Sequence, residues 1–213
     1  MKVGILGSGM VGQTIALKLG KIGLEVMIGT RSPEKLADLA AQNPGLKVGS
    51  FSECAGFGEL LFNASKGDAS LDVIRSAGKE NLAGKILVDI ANPLDFSHGM
   101  PPTLFVGNTD SLAEQIQRIL PETKVIKAFN TMAAAVMVEP RSLAGGDHSL
   151  FICGNDTEAK VRAAALFKDW FGWSDIIDIG DLSGARATEA LLPLWIRLSM
   201  KLGPGAIQFK IMR

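Results

Sequence analysis

The stretch KVGILGSGMVGQTIALKLGK, residues 2–21, decides the fold of this chain. An apolar run with the composition of a strand leads into glycines at positions 7, 9 and 12, and a segment of helical period follows. This order is typical of dinucleotide binding, because the free backbone amides at the helix start attract a pyrophosphate. We therefore predict that a dinucleotide is contacted by Gly7, Ser8, Gly9, Met10, Val11 and Gly12.

The end of the second predicted strand indicates which dinucleotide is bound. NAD-specific proteins carry Asp or Glu there to bind the ribose 2′-hydroxyl, whereas this chain has Gly29-Thr30-Arg31-Ser32. Arg31 can pair with a 2′-phosphate, and Lys35 adds a second positive charge one helical turn later. Thr30 and Ser32 can donate their hydroxyl groups. These residues predict NADP(H) as the cofactor, with solvated surface charge as the alternative for Arg31 and Lys35.

Small or polar residues also follow three other predicted strands. They are Asn63-Ala64-Ser65, Ala91-Asn92-Pro93 and Asn130-Thr131. Because ligands of open α/β sheets lie at the carboxyl ends of the strands, we predict that these residues contribute to the cofactor site. Ordinary turn chemistry selects the same residue types and remains the alternative.

Apolar, β-branched runs alternate with segments of helical period along the chain. This alternation predicts an α/β fold with a doubly wound, mostly parallel sheet, the NAD(P)-binding Rossmann fold, and a short C-terminal helical extension. The predicted strands are Lys2 to Leu6, Glu25 to Gly29, Glu59 to Ala64, Lys85 to Ala91, Lys124 to Phe129, Ser149 to Gly154 and Ile176 to Ile179. The predicted helices are Met10 to Lys21, Ser32 to Gln42, Asp68 to Ala77, Thr109 to Leu120, Asp156 to Phe171 and Glu189 to Leu202. We assign residues 1–182 to an NADP-binding domain and residues 183–213 to the extension.

Composition and charge narrow the range of partners. The 22 basic and 22 acidic side chains balance, so neither nucleic acid nor an anionic membrane surface is an expected partner. No run of about 20 apolar residues is present, and the chain starts in a strand pattern, so we expect a cytoplasmic protein. Cys54 and Cys153 lack metal-ligand spacing and are predicted to be buried small hydrophobes, and we expect no metal site.

The sequence also lacks the groups that several dehydrogenase mechanisms need. It contains no tyrosine, which excludes the short-chain dehydrogenase mechanism, and His98 and His148 are the only groups that titrate near neutral pH. We assign no catalytic residue, although His98 lies in the proline-rich stretch 92–108 that could cover the nicotinamide. Cofactor-binding parts without proton-transfer groups suit direct hydride transfer to a flavin-like or deazaflavin acceptor. The alternatives are a non-catalytic NADP-sensing module and a reductase of a small imine, carbonyl compound or quinone.

The last segment, from Glu189 to Arg213, is unusually apolar for a surface helix. It is too short and too charged to span a membrane, so its apolar side needs a packing partner. That partner is either the sheet of the same chain or a second copy in a homodimer. Arg186 and Arg197 are candidates for binding an acidic tail of the acceptor, and ion-paired or solvated arginines are the alternative.

Five segments together resemble the NADPH-dependent reductases of the deazaflavin coenzyme F420, a family that is also similar to the cytosolic domain of the six-transmembrane metalloreductases. The segments are residues 7–12, residues 29–35, Val125-Ile126-Lys127-Ala128-Phe129-Asn130-Thr131, Phe151-Ile152-Cys153-Gly154-Asn155-Asp156 and Leu192-Pro193-Leu194-Trp195. The resemblance implies that Thr30, Arg31 and Lys35 hold the 2′-phosphate. It further implies that Asn130 and Thr131 lie beside the nicotinamide and the acceptor ring, and that the protein is a homodimer.

Overall fold

The structure is a computed structural model, and it describes residues 1–203 and 207–213. Its strands are β1 Lys2–Leu6, β2 Glu25–Gly29, β3 Leu46–Gly49, β4 Leu60–Asn63, β5 Ile86–Asp89, β6 Leu94–Asp95, β7 Thr103–Leu104, β8 Lys124–Ala128, β9 Ser149–Gly154 and β10 Asp175–Asp178. Its helices are α1 Met10–Lys21, α2 Ala37–Gln42, α3 Phe51–Phe57, α4 Gly67–Ala77, α5 Lys79–Leu82, α6 Leu112–Ile119, α7 Ala134–Val138, α8 Thr157–Phe171 and α9 Ala185–Leu202.

Eight of these strands form one sheet in the order β10-β9-β8-β5-β4-β1-β2-β3. All neighbours in it are parallel except β8 and β9, where Lys127 lies opposite Cys153 in antiparallel register. Two clusters of buried apolar side chains cover the two faces of the sheet, as a doubly wound fold requires. The predicted fold class is therefore confirmed.

The sequence patterns missed several short elements. Strand β3 and helix α3 lie in a segment that begins with Asn43, Pro44 and Gly45. These residues are typical of a turn, and the strand that follows has only four residues, so the segment was not predicted to contain a strand. The predicted helix from Ser32 is also different: Pro33–Leu36 form a 3-10 turn, and Ser32 makes no side-chain capping bond. The α-helix begins only at Ala37. The backbone N–H of Ser32 instead donates to the Thr30 hydroxyl.

A strained residue follows strand β8. Phe129 has a φ of 62°, which is in the left-handed region that a bulky side chain rarely adopts. Its ring is 1% exposed and packs edge-on against Phe167, Phe171 and Trp173. This aromatic packing holds the strained backbone in place and thereby sets the direction in which the chain leaves the sheet at Asn130.

The C-terminal helix α9 begins at Ala185, four residues before the apolar run from which it was predicted. Phe209, which follows this helix in the chain, contacts the sheet: the backbone N–H of Ser149 donates to its carbonyl oxygen. Residues 204–206 of the predicted extension lie outside the described residues, and the division of the chain at residue 182 stays a prediction. Within the described ranges, no helix is long and apolar enough to cross a membrane.

Both cysteines are buried, as predicted. Cys54 and Cys153 are 0% exposed, and their thiols are free. Burial raises the pKa of each thiol to about 12, so both remain protonated and unreactive at neutral pH.

Candidate functional site

The glycine turn between β1 and α1 has the geometry that its sequence predicts. Gly7 has a φ of 126°, and a Cβ atom there would lie 2.6 Å from the carbonyl oxygen of Ala64. A Cβ atom on Gly12 would overlap the carbonyl oxygen of Gly7, so α1 packs this closely only with glycine. No described atom lies within 4 Å of a Cβ built on Gly9, which leaves the backbone open toward the cavity described next.

The end of strand β2 meets this turn. The backbone N–H of Gly7 donates to the carbonyl oxygen of Gly29, and the hydroxyl oxygens of Ser8 and Thr30 are 3.0 Å apart. Beyond Thr30, the side chains of Arg31 and Lys35 are exposed, and neither forms an ion pair with any residue in 1–203 or 207–213. Two cations that form no ion pair with the described part of the chain thus lie next to the backbone amides at the start of α1.

A cavity of about 370 Å³, the glycine-turn cavity, lies between the turn and the end of β2. Its lining brings together nine residues predicted from sequence, namely Gly7, Ser8, Gly9, Thr30, Arg31, Ser32, Lys35, Ala64 and Ser65. It also includes Phe51 and Lys66, which the sequence reasoning missed. Phe51 was missed because α3 was not predicted, and Lys66 because it lies one residue past the polar triplet that ends β4.

A second cavity, of about 520 Å³, adjoins the first and is called the Phe96 cavity here. Ala64, Ser65 and Lys66 line both cavities, so the two lie side by side along these residues. The lining of the Phe96 cavity also contains predicted residues, namely Met10, Val11, Ala91 and Asn92. Its walls are largely apolar, and two of the apolar residues on them, Met10 and Phe96, are 74% and 52% exposed.

The five remaining predicted residues line neither cavity, namely Gly12, Asn63, Pro93, Asn130 and Thr131. Pro93 is buried and accepts a backbone hydrogen bond from Phe105 through its carbonyl oxygen. Asn130 and Thr131 are 4% and 3% exposed. The side chain of Asn130 donates to Oδ1 of Asn92 at 2.9 Å, and Asn92 donates back to the carbonyl oxygen of Asn130 at 2.9 Å. Asn130 therefore fixes Asn92, which does line the Phe96 cavity.

A buried ion cluster behind the strand ends was not predicted. Nζ of Lys127 lies 2.8 Å from a carboxylate oxygen of Asp89 and 2.8 Å from one of Glu189, and all three side chains are at most 1% exposed. Burial lowers the pKa of Lys127, but the two carboxylates raise it by more, so its pKa lies above the ordinary value and the amine stays charged. Glu189 also accepts from the backbone N–H groups of Leu112 and Ala113 at the start of α6.

This cluster is connected to the cavities by hydrogen bonds. Asp89 accepts from Nδ2 of Asn63 at 2.8 Å, and Oδ1 of Asn63 accepts from the Ser65 hydroxyl at 2.6 Å. Ser65 lines both cavities, whereas Asn63 is fully buried. Asn63 therefore links the ion cluster to the cavity wall. The signal in the sequence was Lys127 itself, a charged residue inside an apolar strand.

The other ionisable candidates lie elsewhere. His98 is exposed in the segment between β6 and β7 and lines neither cavity, and His148 is buried beside Trp173. Arg186 pairs with Glu114, its Nε lying 2.9 Å from a carboxylate oxygen, which supports the ion-paired alternative for this arginine. Among the described residues, no group of His, Cys, Asp and Glu side chains could hold a metal ion.

Comparisons with known proteins agree with this arrangement. The sequence model of the family described as NADP oxidoreductase, coenzyme F420-dependent, matches residues 2–93, which include the glycine turn, the end of β2 and most of both cavity linings. The F420-dependent NADP reductase of Methanocaldococcus jannaschii is 33% identical over 213 residues, covering 94% of this chain and 93% of that protein.

Two further similarities concern a longer protein and a solved structure. Metalloreductase STEAP3 of Rattus norvegicus is 34% identical over 200 residues, and the match covers 91% of this chain but only 38% of that protein. A crystal structure from Arthrobacter sp. FB24, provisionally described as an F420-dependent NADP reductase, is 52% identical with a TM-score of 0.96. That match covers 100% of both chains.

Proposed function

Because this chain belongs to the family of F420-dependent NADP reductases, and hence to the NADP-dependent oxidoreductases, we propose that it transfers hydride between NADP(H) and a deazaflavin such as coenzyme F420. The observation that carries the proposal is the pair of adjoining cavities. One is bordered by backbone amides and by two cations that have no ion-pair partner among the described residues, and the other by exposed apolar side chains. The first suits a phosphorylated dinucleotide and the second suits a flat, largely apolar ring.

NADP(H) would occupy the glycine-turn cavity and extend into the Phe96 cavity. The amides at the start of α1 would bind the pyrophosphate, since Gly9 places no side chain between them and the cavity. Arg31 and Lys35 would hold the 2′-phosphate, with the hydroxyl groups of Thr30 and Ser32 beside them. Arg31, Lys35 and the open face of Gly9 thus fit this cofactor.

The acceptor ring would bind in the Phe96 cavity. Met10, Leu94 and Phe96 would contact its faces, and Asn92, held by Asn130, would offer an amide to its polar edge. NADP(H), when bound, would supply or accept the hydride. When NADPH is the donor, the deazaflavin would gain that hydride and one proton from solvent. The chain aligns the two rings and needs no acid or base of its own for this step.

Stopped-flow oxidation of bound NADPH tests the proposal. We expect coenzyme F420 to accelerate the loss of NADPH absorbance, with FMN, a benzoquinone and a cyclic imine as comparison acceptors. Faster oxidation by the quinone or the imine would assign the chain to the alternative acceptor. If none of the four accelerates oxidation while NADPH still binds, the non-catalytic NADP-sensing alternative replaces our proposal.

Replacing Phe96 by alanine should weaken binding of the acceptor and leave binding of the dinucleotide unchanged. Loss of a half-exposed ring from the cavity wall is expected to raise the KM for coenzyme F420 roughly tenfold, with little change in the Kd for NADPH. Steady-state kinetics and fluorescence titration measure the two constants. Phe105→Ala is the matched control, because Phe105 is similarly exposed at 45% but does not line the cavity. Equal effects of both variants would contradict the proposed acceptor site.

We further propose a homodimer in which α9 forms part of the interface. Its side chains Leu194, Met200 and Leu202 are 50%, 58% and 60% exposed, and a second copy would cover exposed apolar groups of this helix. The double variant Met200→Glu/Leu202→Glu is expected to sediment as a monomer where the parent chain sediments as a dimer. Lys201→Glu, between these positions, adds negative charge without removing an apolar group and should leave the dimer intact. A parent chain that is monomeric at micromolar concentration contradicts this proposal.

A further inference from the structure

A buried lysine holds the chain where it leaves strand β5. Nζ of Lys127 donates to the carboxylate of Asp89, the last residue of β5, at 2.8 Å, and to the carbonyl oxygen of Ala91, two residues further on. Oδ1 of Asp89 also accepts from the backbone N–H of Ala91 at 3.2 Å. Ala91 is therefore held at its N–H and at its carbonyl group. These three residues form the Lys127 clamp.

The same arrangement recurs at the end of β10, in the Lys160 clamp. Nζ of Lys160 donates to the carboxylate of Asp178 at 2.9 Å and to the carbonyl oxygen of Gly180 at 2.8 Å. The backbone N–H of Gly180 donates to Oδ1 of Asp178 at 2.9 Å. Because β10 is parallel to β9, which runs opposite to β8 and β5, its last residue lies at the other rim of the sheet. None of these three residues lines the glycine-turn cavity or the Phe96 cavity.

The Lys127 clamp, in contrast, holds part of a cavity wall. Ala91 and Asn92 are consecutive residues on the lining of the Phe96 cavity. The clamp fixes Ala91, and the two hydrogen bonds between Asn92 and Asn130 fix the next residue. Asn130 donates in turn to the carbonyl oxygen of Thr188 in α9, at 3.0 Å. Both backbone polar groups of Ala91 and the side-chain amide of Asn92 are thus bonded to buried residues.

Stability alone is a weak reason to bury Lys127 with two carboxylates. Moving ionised groups out of water is costly, and well-packed apolar residues in place of a buried ion cluster often give equal or greater stability. A buried polar network with every member paired does, however, hold its neighbours in one conformation. The network around Lys127 ends on Ala91 and, through Asn63, on Ser65, which both line the Phe96 cavity. What the cluster holds in place is therefore the wall of this cavity.

We propose that Lys127 is a positioning residue for hydride transfer, which holds Ala91 and Asn92 so that the acceptor ring lies against the nicotinamide in one alignment. This inference rests on the proposed function, because it concerns the acceptor ring in the Phe96 cavity. Lys127 is buried and lines neither cavity, so its effect on the reaction passes through Ala91. Hydride transfer depends on alignment, since a misplacement of about 1 Å can slow a reaction about a hundredfold.

The test compares Lys127→Met with Lys160→Met, the matched variant at the other rim. Each removes a buried lysine that contacts an aspartate at a strand end and the carbonyl oxygen two residues later. Hydrogen exchange followed by NMR on the full chain without ligands reports each clamp. We expect faster exchange of the Ala91 N–H in the first variant and of the Gly180 N–H in the second. The buried amide of Ile28 in β2 corrects for changes in global stability.

Single-turnover oxidation of bound NADPH by coenzyme F420 measures the chemical step in the same variants. We expect Lys127→Met to slow hydride transfer roughly tenfold to a hundredfold, and to keep the Kd for NADPH within about threefold of the parent value. Lys160→Met should leave both unchanged. Circular dichroism establishes that each variant is folded at the assay temperature. If Lys127→Met is unfolded, the double variant Lys127→Met/Asp89→Asn is measured in its place, because it also lacks the contact to the Ala91 carbonyl group.

Two kinds of failure are distinguishable. An active parent chain together with a Lys127→Met chain of unchanged transfer rate overturns this inference and leaves the proposed function intact. Equal slowing in Lys160→Met, or unchanged exchange of the Ala91 N–H, does the same, because the lysine would then act through stability or would not hold the wall. A parent chain that transfers no hydride to coenzyme F420 overturns the proposed function and this inference with it.

Discussion

Replacing Lys127 by methionine is expected to lower the free energy of unfolding by about 3–5 kcal/mol, because the carboxylates of Asp89 and Glu189 would remain buried without their cation. Methionine has a similar volume and is apolar, so the lost charge rather than a cavity causes the effect. Urea denaturation followed by circular dichroism measures the change. Each carboxylate keeps two donors in the variant: backbone amides at the start of α6 contact Glu189, and Asn63 and the backbone of Ala91 contact Asp89.

The matched control for this variant is Lys124→Met on the same strand. Lys124 also pairs with a carboxylate, Asp156 at 3.1 Å, but its side chain is 38% exposed, so the loss should be below about 1 kcal/mol. The double variant Lys127→Met/Asp89→Asn removes one charge of each sign and should recover part of the stability. Equal losses for Lys127→Met and Lys124→Met would show that the buried cluster contributes no more than a surface ion pair.

Replacing Arg31 by aspartate is expected to raise the Kd for NADPH roughly a hundredfold or more. The change removes a charge-assisted contact to the 2′-phosphate, worth about 1.5–3 kcal/mol, and adds repulsion between two negative charges. NADH has a 2′-hydroxyl group instead, which can donate a hydrogen bond to a carboxylate. The affinity of the variant for NADH should therefore stay constant or rise. Isothermal titration calorimetry with both nucleotides gives the ratio of the Kd for NADPH to the Kd for NADH.

Arg162→Asp is the control for this change of charge. It makes the same substitution at an exposed arginine of α8 that lines neither cavity, and the affinity for both nucleotides should be unchanged. If Arg31→Asp also leaves NADPH binding unaltered, Arg31 is a solvated surface charge and NADP(H) selectivity must be sought in Lys35 or Lys66.

Most of the glycine-turn cavity could be predicted from local sequence, because the turn, the end of β2 and the end of β4 each carry their chemistry within a few residues. The same reasoning placed Asn130 and Thr131 beside the ligands, yet both are buried and line neither cavity. Strand-end position gives the edge of the sheet on which a residue lies. It does not give the direction of its side chain, which here depends on the strained Phe129.

The ion cluster could not be predicted from local sequence, for a different reason. Lys127, Asp89 and Glu189 come from two strands and the C-terminal helix, and only the packing of α9 against the sheet brings them together. A helix predicted to start at Glu189 leaves that side chain at an exposed terminus, whereas the observed start at Ala185 places it inside the second turn and buries it. An error of one helical turn thus concealed the cluster.

The reversal of β9 relative to its neighbour has a consequence for how this architecture can diversify. Because β9 runs opposite to β8, its first residue lies on the same rim of the sheet as the last residues of β1, β4 and β5. The loop before β9, which carries His148, therefore lies at the same rim as the loop after β4, which carries Ser65. Exchanging the segment before β9 with that of a homologue should therefore leave the affinity for NADPH unchanged, because no residue of this segment lines the cavities near Ser65.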